Sequence, residues 1–354
     1  APAQRQHLVT SRAAENLFWM GRYTERTENT LRLVRLSLEI LGSENQNLPC
    51  LLNFITRMAQ RHGMVPAGVP AAAQTRRVFE RALIAGLWDQ SLATSVGFNL
   101  RSVRLAAASV RERLSPEHWR LLEQAESRFF ELAPQRVSPE TTTPDPTPPS
   151  LPGPLPDTVA VQSLLADTSQ MLAALTGAQT DRMSRDDGWR LLSIGRHIER
   201  LDFLSAALGQ AVQGGLLGEQ AGFDAVLDLF DSTIHFHAQY QQSRTPQALV
   251  DLLVTHPDNP RSLGWVAHTL RGRLMRMGNL AEGATALLAD EVPRLIQVDP
   301  ESLWPLSASA SHPGPDLPLF VALAQCQTAA HGVSNQLCGL FFTHSGEARY
   351  SVGA

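Results

Sequence analysis

GRYTERTENTLRLVRLSLEIL, Gly21 to Leu41, contains no proline and no glycine after its first residue, so nothing interrupts one long helix. A second stretch, GRHIERLDFL, begins at Gly195. Both read Gly, Arg, two variable residues, Glu, Arg, and then an acid two places on, Glu28 and Asp202. Two such helices in one chain mean either an internal duplication or two half-sites.

On a helix of 3.6 residues per turn, Ala13, Leu17, Met20, Thr24, Thr27, Leu31 and Val34 share one seam. Leu191, Ile194, Ile198, Leu201 and Leu208 form the matching seam of the second stretch. The other face of the first helix mixes Glu15, Arg22, Glu25, Arg26 and Asn29 with Phe18, Trp19, Leu33 and Leu36. The second mixes Arg196, Glu199 and Arg200 with Trp189, Leu192 and Phe203. A helix apolar on both sides is covered on both sides, so its charges are buried and must be paired. Within one helix, Arg22 reaches Glu25 and Arg196 reaches Glu199 at i,i+3 spacing. Gly21 and Gly195 let two backbones approach closely, and a pseudo-twofold crossing there would bring Glu25 to Arg200 and Glu199 to Arg26.

Three readings of this charged set stay open. It is an ion-pair network holding two repeats in register; or its arginines are half satisfied and offer a donor fork to a carboxylate or phosphate; or Glu25 and Glu199 act as general acid and base.

The rest of the chain is helical in pattern, with few strand signals and aromatics at only 6%. Helices are expected near 10–42, 46–63, 76–91, 96–114 and 117–133, then near 158–176, 186–213, 220–242, 245–254, 261–278, 280–297 and 317–342. Between the two sets, residues 134–157 carry nine of the 23 prolines and are expected to be an extended, disordered linker. The division is therefore a first repeat over 8–133 and a second over 158–347 with further C-terminal helices, the two packing as one all-α domain. Ser95-Val-Gly-Phe and Ser262-Leu-Gly-Trp align in the same order and at nearly the same offset as the Gly-Arg-x-x-Glu-Arg helices, which supports duplication.

Composition removes several chemistries. All 30 basic residues are arginine; without lysine there is no phosphate-binding P-loop lysine and no Schiff base. A net charge of −4 gives no reason to expect nucleic acid. Nothing approaches an apolar run of membrane-spanning length. Cys50, Cys326 and Cys338 show no metal or redox spacing and fit a reducing cytoplasm. His235 and His237, two apart on a helix, point in different directions and cannot share a metal.

Ser11-Arg-Ala-Ala-Glu-Asn-Leu-Phe-Trp-Met-Gly-Arg-Tyr-Thr-Glu-Arg-Thr-Glu-Asn closely resembles the opening of the alpha-E family of bacteria. Val110-Arg-Glu-Arg-Leu-Ser-Pro-Glu-His-Trp, the stretch from Asp187 to Asp202, and Asp258-Asn-Pro-Arg-Ser-Leu extend the resemblance over most of residues 8–280. It implies an all-helical domain encoded beside, or fused to, a circularly permuted ATP-grasp protein, often near a transglutaminase-like peptidase. That setting points to amide or peptide ligation, with this chain an accessory module binding substrate or partner. ATP and Mg are expected only in the ATP-grasp component, and no cofactor in this chain. The start at APAQRQHL is expected to be the C-terminal part of such a fusion. The residues carried over are Glu15, Arg22, Glu25, Arg26, Arg196, Glu199 and Arg200, with Asn29 beside them. Two rival roles remain: a catalytic domain using Glu25 or Glu199 on a peptide or amino acid, and an oligomerisation scaffold. The chain departs from the family's pattern at Val103-Arg-Leu-Ala106, where relatives carry a Glu and an Asn, and at His197 opposite Tyr23.

Overall fold

The computed structural model describes residues 9–43, 49–134, 154–277 and 284–342. Most of the expected linker, 135–153, lies outside the described residues. Those described are helical, without strands. The first set is α1 (Ser11–Gly42), α2 (Pro49–Arg61), α3 (Arg76–Gly86), α4 (Val96–Ala108) and α5 (Pro116–Glu131). Next come α6 (Thr158–Asp181), α7 (Asp187–Gln213), α8 (Gln220–Leu229), α9 (Thr233–Tyr240) and α10 (Pro246–Val250). The chain ends in α11 (Leu263–Met275), α12 (Ala284–Glu291), α13 (Pro300–Leu303) and α14 (Pro318–Phe341). No helix among the described residues is long and apolar enough to cross a membrane.

α1 lies at the centre. It packs against α7 most extensively, against α4 next, and touches α2, α3, α6, α8 and α14. Its residues from Asn16 through Leu31 are buried without a break, polar and apolar alike. That is the outcome expected of a helix with apolar residues on both faces. Thr24 and Thr27, which interrupt the apolar seam, donate their hydroxyls to the carbonyls of Met20 and Tyr23 at 2.8 and 2.7 Å, so no polar group is stranded there. α7 is the second axis, covered by α1, α11 and α14. A single core runs through both halves, from Leu17 and Phe54 to Trp304 and Leu337.

Side-chain caps fix the helix starts. Thr10, Ser95, Ser115, Asp186, Thr245 and Ser262 each accept a backbone N–H three residues on. Ser95 and Ser262 repeat one another further: each donates its hydroxyl to the carbonyl six residues back, Asp89 and His256.

Several expected helices are shorter or broken. The segment expected over 220–242 divides at Asp231, whose φ of 50° lies in the left-handed region, and yields α8 and α9. The segment over 245–254 passes after Val250 into a π-helical turn, Asp251–Thr255. The segment over 280–297 stops at Glu291, two residues before Pro293, and resumes only as a 3₁₀ turn at Leu295–Gln297. The segment over 158–176 instead continues to Asp181.

Candidate functional site

The crossing of α1 and α7 is built on two glycines. A methyl group on Gly21 would meet the Leu192 carbonyl and lie 3.2 Å from the Arg196 nitrogen. One on Gly195 would meet the Phe18 carbonyl and lie 3.2 Å from the Arg22 nitrogen. Only glycine allows this backbone-on-backbone contact. It sets both Arg-x-x-Glu-Arg stretches face to face.

The charges pair across the crossing. Glu25, fully enclosed, accepts from Arg200 Nε at 2.6 Å and Nη2 at 2.9 Å, from Arg196 Nη2 at 3.3 Å and from Arg261 Nη1 at 3.4 Å. Glu199 accepts from Arg22 Nε at 2.7 Å and from Arg26 Nη2. The expected Glu25–Arg200 and Glu199–Arg26 pairs are therefore present. The expected i,i+3 pairs are not: Arg22 and Arg196 each serve the glutamate of the opposite helix. The close approach at the glycines brings that carboxylate within reach, and it lets Arg200 grip Glu25 through two parallel bonds. The arginines also lie over aromatic rings, Arg22 at 5.1 Å from the Trp19 centroid and Arg26 at 5.9 Å from Tyr23.

Sequence reasoning missed the groups that complete the network. Glu28 binds Arg261 Nη2 at 2.7 Å and Arg32 at 3.3 Å, and Arg32 reaches Asp231 at 3.1 Å. Arg22 donates to Ser334 of α14 at 2.5 Å. Asp202, which stands where Glu28 stands in the first stretch, pairs with His331 of α14 at 3.1 Å. Arg261 directly precedes the Ser262 cap and lies within Asp258-Asn-Pro-Arg-Ser-Leu, one of the stretches that carry the family resemblance, but neither signal places it at the crossing.

The electrostatics follow from this pairing. Burial alone would raise the Glu25 pKa, but Arg200, Arg261 and Arg196 drive it far below the usual carboxylate range. For Glu199, burial is overcome by Arg26 and Arg22, leaving it at about 2. Glu28 is lowered despite burial and the adjacent Glu25, chiefly by Arg261. Burial and Arg200 push Arg261 down to about 10, so it stays charged at neutral pH. Burial pulls His197 down to about 3 and His62 to about 4, leaving both neutral.

The arginines of the crossing, which one of the three open readings had half satisfied, do not face solvent. Arg22, Arg26, Arg196, Glu199 and Arg200 are each less than a tenth exposed, although the buried Arg196 Nε makes no hydrogen bond. Asn29 is also buried, though neither of its amide atoms is hydrogen-bonded, while Glu15 is half-buried at the edge of the set.

A family described as a predicted alpha-helical domain with a conserved ER motif matches residues 9–342. This chain belongs to the alpha-E family. Glu25-Arg26 and Glu199-Arg200 are ER pairs on its two crossing helices. Proteins similar to this chain include an uncharacterized protein of Mycobacterium bovis and uncharacterized proteins of two strains of Mycobacterium tuberculosis. Each is 28% identical over 315 residues, covering 84% of this chain and 33% of the relative. The chain thus spans about a third of the length of the curated relatives it matches. No solved structure matches it.

Proposed function

We propose that this alpha-E domain is a non-catalytic helical module that binds the ligase or its acceptor substrate within an ATP-grasp amide- or peptide-ligase system. The observation that carries this reading is the state of Glu25 and Glu199. Each is enclosed by arginines of the opposite helix and held ionised far below neutral pH. A general acid or base works best with a pKa near the operating pH. These carboxylates are far from it, which favours a brace over a proton-transfer pair. The crossing then holds a rigid frame whose outer surfaces meet the partner. The long relatives support the same view, since most of their length is available for domains of another kind. ATP and Mg belong to that other component, in keeping with a chain that lacks lysine.

The test joins this chain to the circularly permuted ATP-grasp protein encoded nearest to it, with binding measured by calorimetry and ADP release measured with and without added amino acids. The reading expects a saturable complex and a rise in ligation-coupled ADP release when the domain is added. No complex and no change in ADP release would sink it.

We also infer that α1–α4 and α7–α11 descend from one duplicated unit related by a pseudo-twofold axis. Gly21 and Gly195, Glu25 and Glu199, and the Ser95 and Ser262 caps make matching contacts, as given above. Tyr23 against Phe98 at 6.4 Å and His197 against Trp265 at 5.7 Å add a further matched pair. Superposing the two units in an experimental structure would overturn this inference if they failed to align around the crossing.

A further inference from the structure

We propose that the hollow between α11 and the 293–297 segment is a binding site for a small apolar carboxylate, independent of the α1–α7 crossing and of any ligase partner. The hollow holds about 500 Å³, within the range of small-molecule sites. Its apolar lining comes mainly from Met275, Leu295 and Ile296; its polar side chains are His268, Arg271, Arg294 and Gln297. Leu295 is buried, while Met275 is 63% exposed, so the site has an apolar floor and an apolar lip open to solvent.

The two arginines differ in role. Arg271 is fixed in place: it donates to the carbonyls of Ala289 and Val292, the latter at 2.9 Å, and closes the C-terminal end of α12. Its Nη2 lies 3.3 Å from Asp290. Arg294 approaches the same Asp290 only at 3.6 Å and is 64% exposed. One carboxylate, itself 70% exposed, therefore faces two guanidinium groups. Two guanidinium groups against one carboxylate leave one positive charge over at the rim, where the exposed Arg294 holds Asp290 only loosely. Pro293, Arg294 and Leu295 also border a second hollow of about 360 Å³, placing Arg294 on a ridge between two apolar recesses.

This combination selects for one anionic charge on an apolar body. A carboxylate matches the planar fork of Arg294 in bidentate fashion, and the α11 wall offers the imidazole of His268 beside it. A neutral apolar molecule would leave the arginine unused, and a bare phosphate would leave the apolar floor uncovered.

N-acetyl-leucine, N-acetyl-leucinamide and inorganic phosphate serve as probes, titrated into the whole chain by calorimetry with the Met275 methyl signal followed by NMR. Saturable binding of the acid is expected, about tenfold tighter than the amide, as one charge-assisted bidentate contact supplies. The Met275 methyl should shift, and Arg294→Gln, at an exposed position, should bring the acid down to the level of the amide. Equal affinity of acid and amide would overturn the proposal, as would phosphate binding as tightly as the acid. A preference that survives Arg294→Gln, or no saturation by the acid below about 10 mM, would overturn it equally.

Discussion

Gly21 of α1 and Gly195 of α7 lie against each other's helix backbone, each facing the carbonyl three residues before the other. The pairing of the buried charges depends on this spacing, because Glu25 and Glu199 reach the arginines opposite only when the backbones nearly touch. A methyl group on Gly21 has backbone as its neighbour, which cannot rotate away as a flexible side chain would. Gly21→Ala should therefore force the helices apart and destabilise the protein by about 3 kcal/mol or more, the upper range of overpacking. Gly177→Ala is the contrast: it sits in α6 with nothing near its missing Cβ. There, replacing glycine inside a helix should stabilise by about 0.5–1 kcal/mol. Urea denaturation of the two variants checks both signs.

Removing one carboxylate of the crossing leaves buried cations without a counter-charge. Glu25→Gln keeps the shape but takes from Arg200 its carboxylate partner and leaves Arg196 and Arg261 to Glu28 alone, and should cost about 3–5 kcal/mol. Glu39→Gln, on an exposed turn of the same helix, should change stability by less than about 0.5 kcal/mol. Equal melting temperatures for the two variants would refute the brace.

Stability should fall with acid in two overlapping stages. Burial lowers His118 and His62 to about 4 and His197 to about 3, from an ordinary 6.5. A lowered folded pKa means the unfolded chain binds protons first, so this stability is present above pH 6.5 and lost as pH falls through the folded values. The carboxylates have the same sign at lower pH: Glu199, at about 2 against an ordinary 4.5, contributes above pH 4.5 and loses that contribution below it. His331, raised by its hydrogen bond to Asp202, works the other way, favouring the fold below pH 6.5 and losing that effect as pH rises. Because the His331 side chain is 44% exposed, solvent weakens its share. Calorimetric melting from pH 8 to pH 3 should show a steady fall beginning near pH 6.5; a flat profile down to pH 5 would contradict it.

The crossing was legible because its signals are local. Helical period placed Arg22, Glu25 and Arg26 on one buried face, and burial required partners that only a second copy of the same pattern could supply. Arg261, Ser334 and His331 were not, since their contacts join elements far apart in the chain and no periodicity links them, and Glu28 was read as the motif's acid without its partner Arg261. The i,i+3 pairs failed for the same reason: spacing along a helix says which groups can meet, while the neighbouring helix decides which do. The break between α8 and α9 rests on Asp231 in a left-handed conformation without glycine to announce it, and the ion pair with Arg32 that holds it spans the whole first half. Whether the arginines are open or satisfied stays undecided in the sequence, which shows charges but not what fills the space between them.

Cys326 offers a direct probe of how tightly the frame stays closed. It faces inward from α14, and burial pushes its thiol up to about 12. The thiolate is the reactive form, so the native side chain should resist alkylation at neutral pH. Cys50 and Cys338 are partly buried and also raised, so they too should react slowly, but without waiting for the core to open. With both replaced by serine, iodoacetamide labelling of Cys326 should proceed only through opening of α14 from α7. Glu199→Gln frees Arg22, which ties α14 to the crossing through Ser334, and should speed labelling by the same factor as it raises the open population. Prompt labelling of Cys326 in the unaltered chain, at the rate of a free thiol, would mean that α14 does not close over the core.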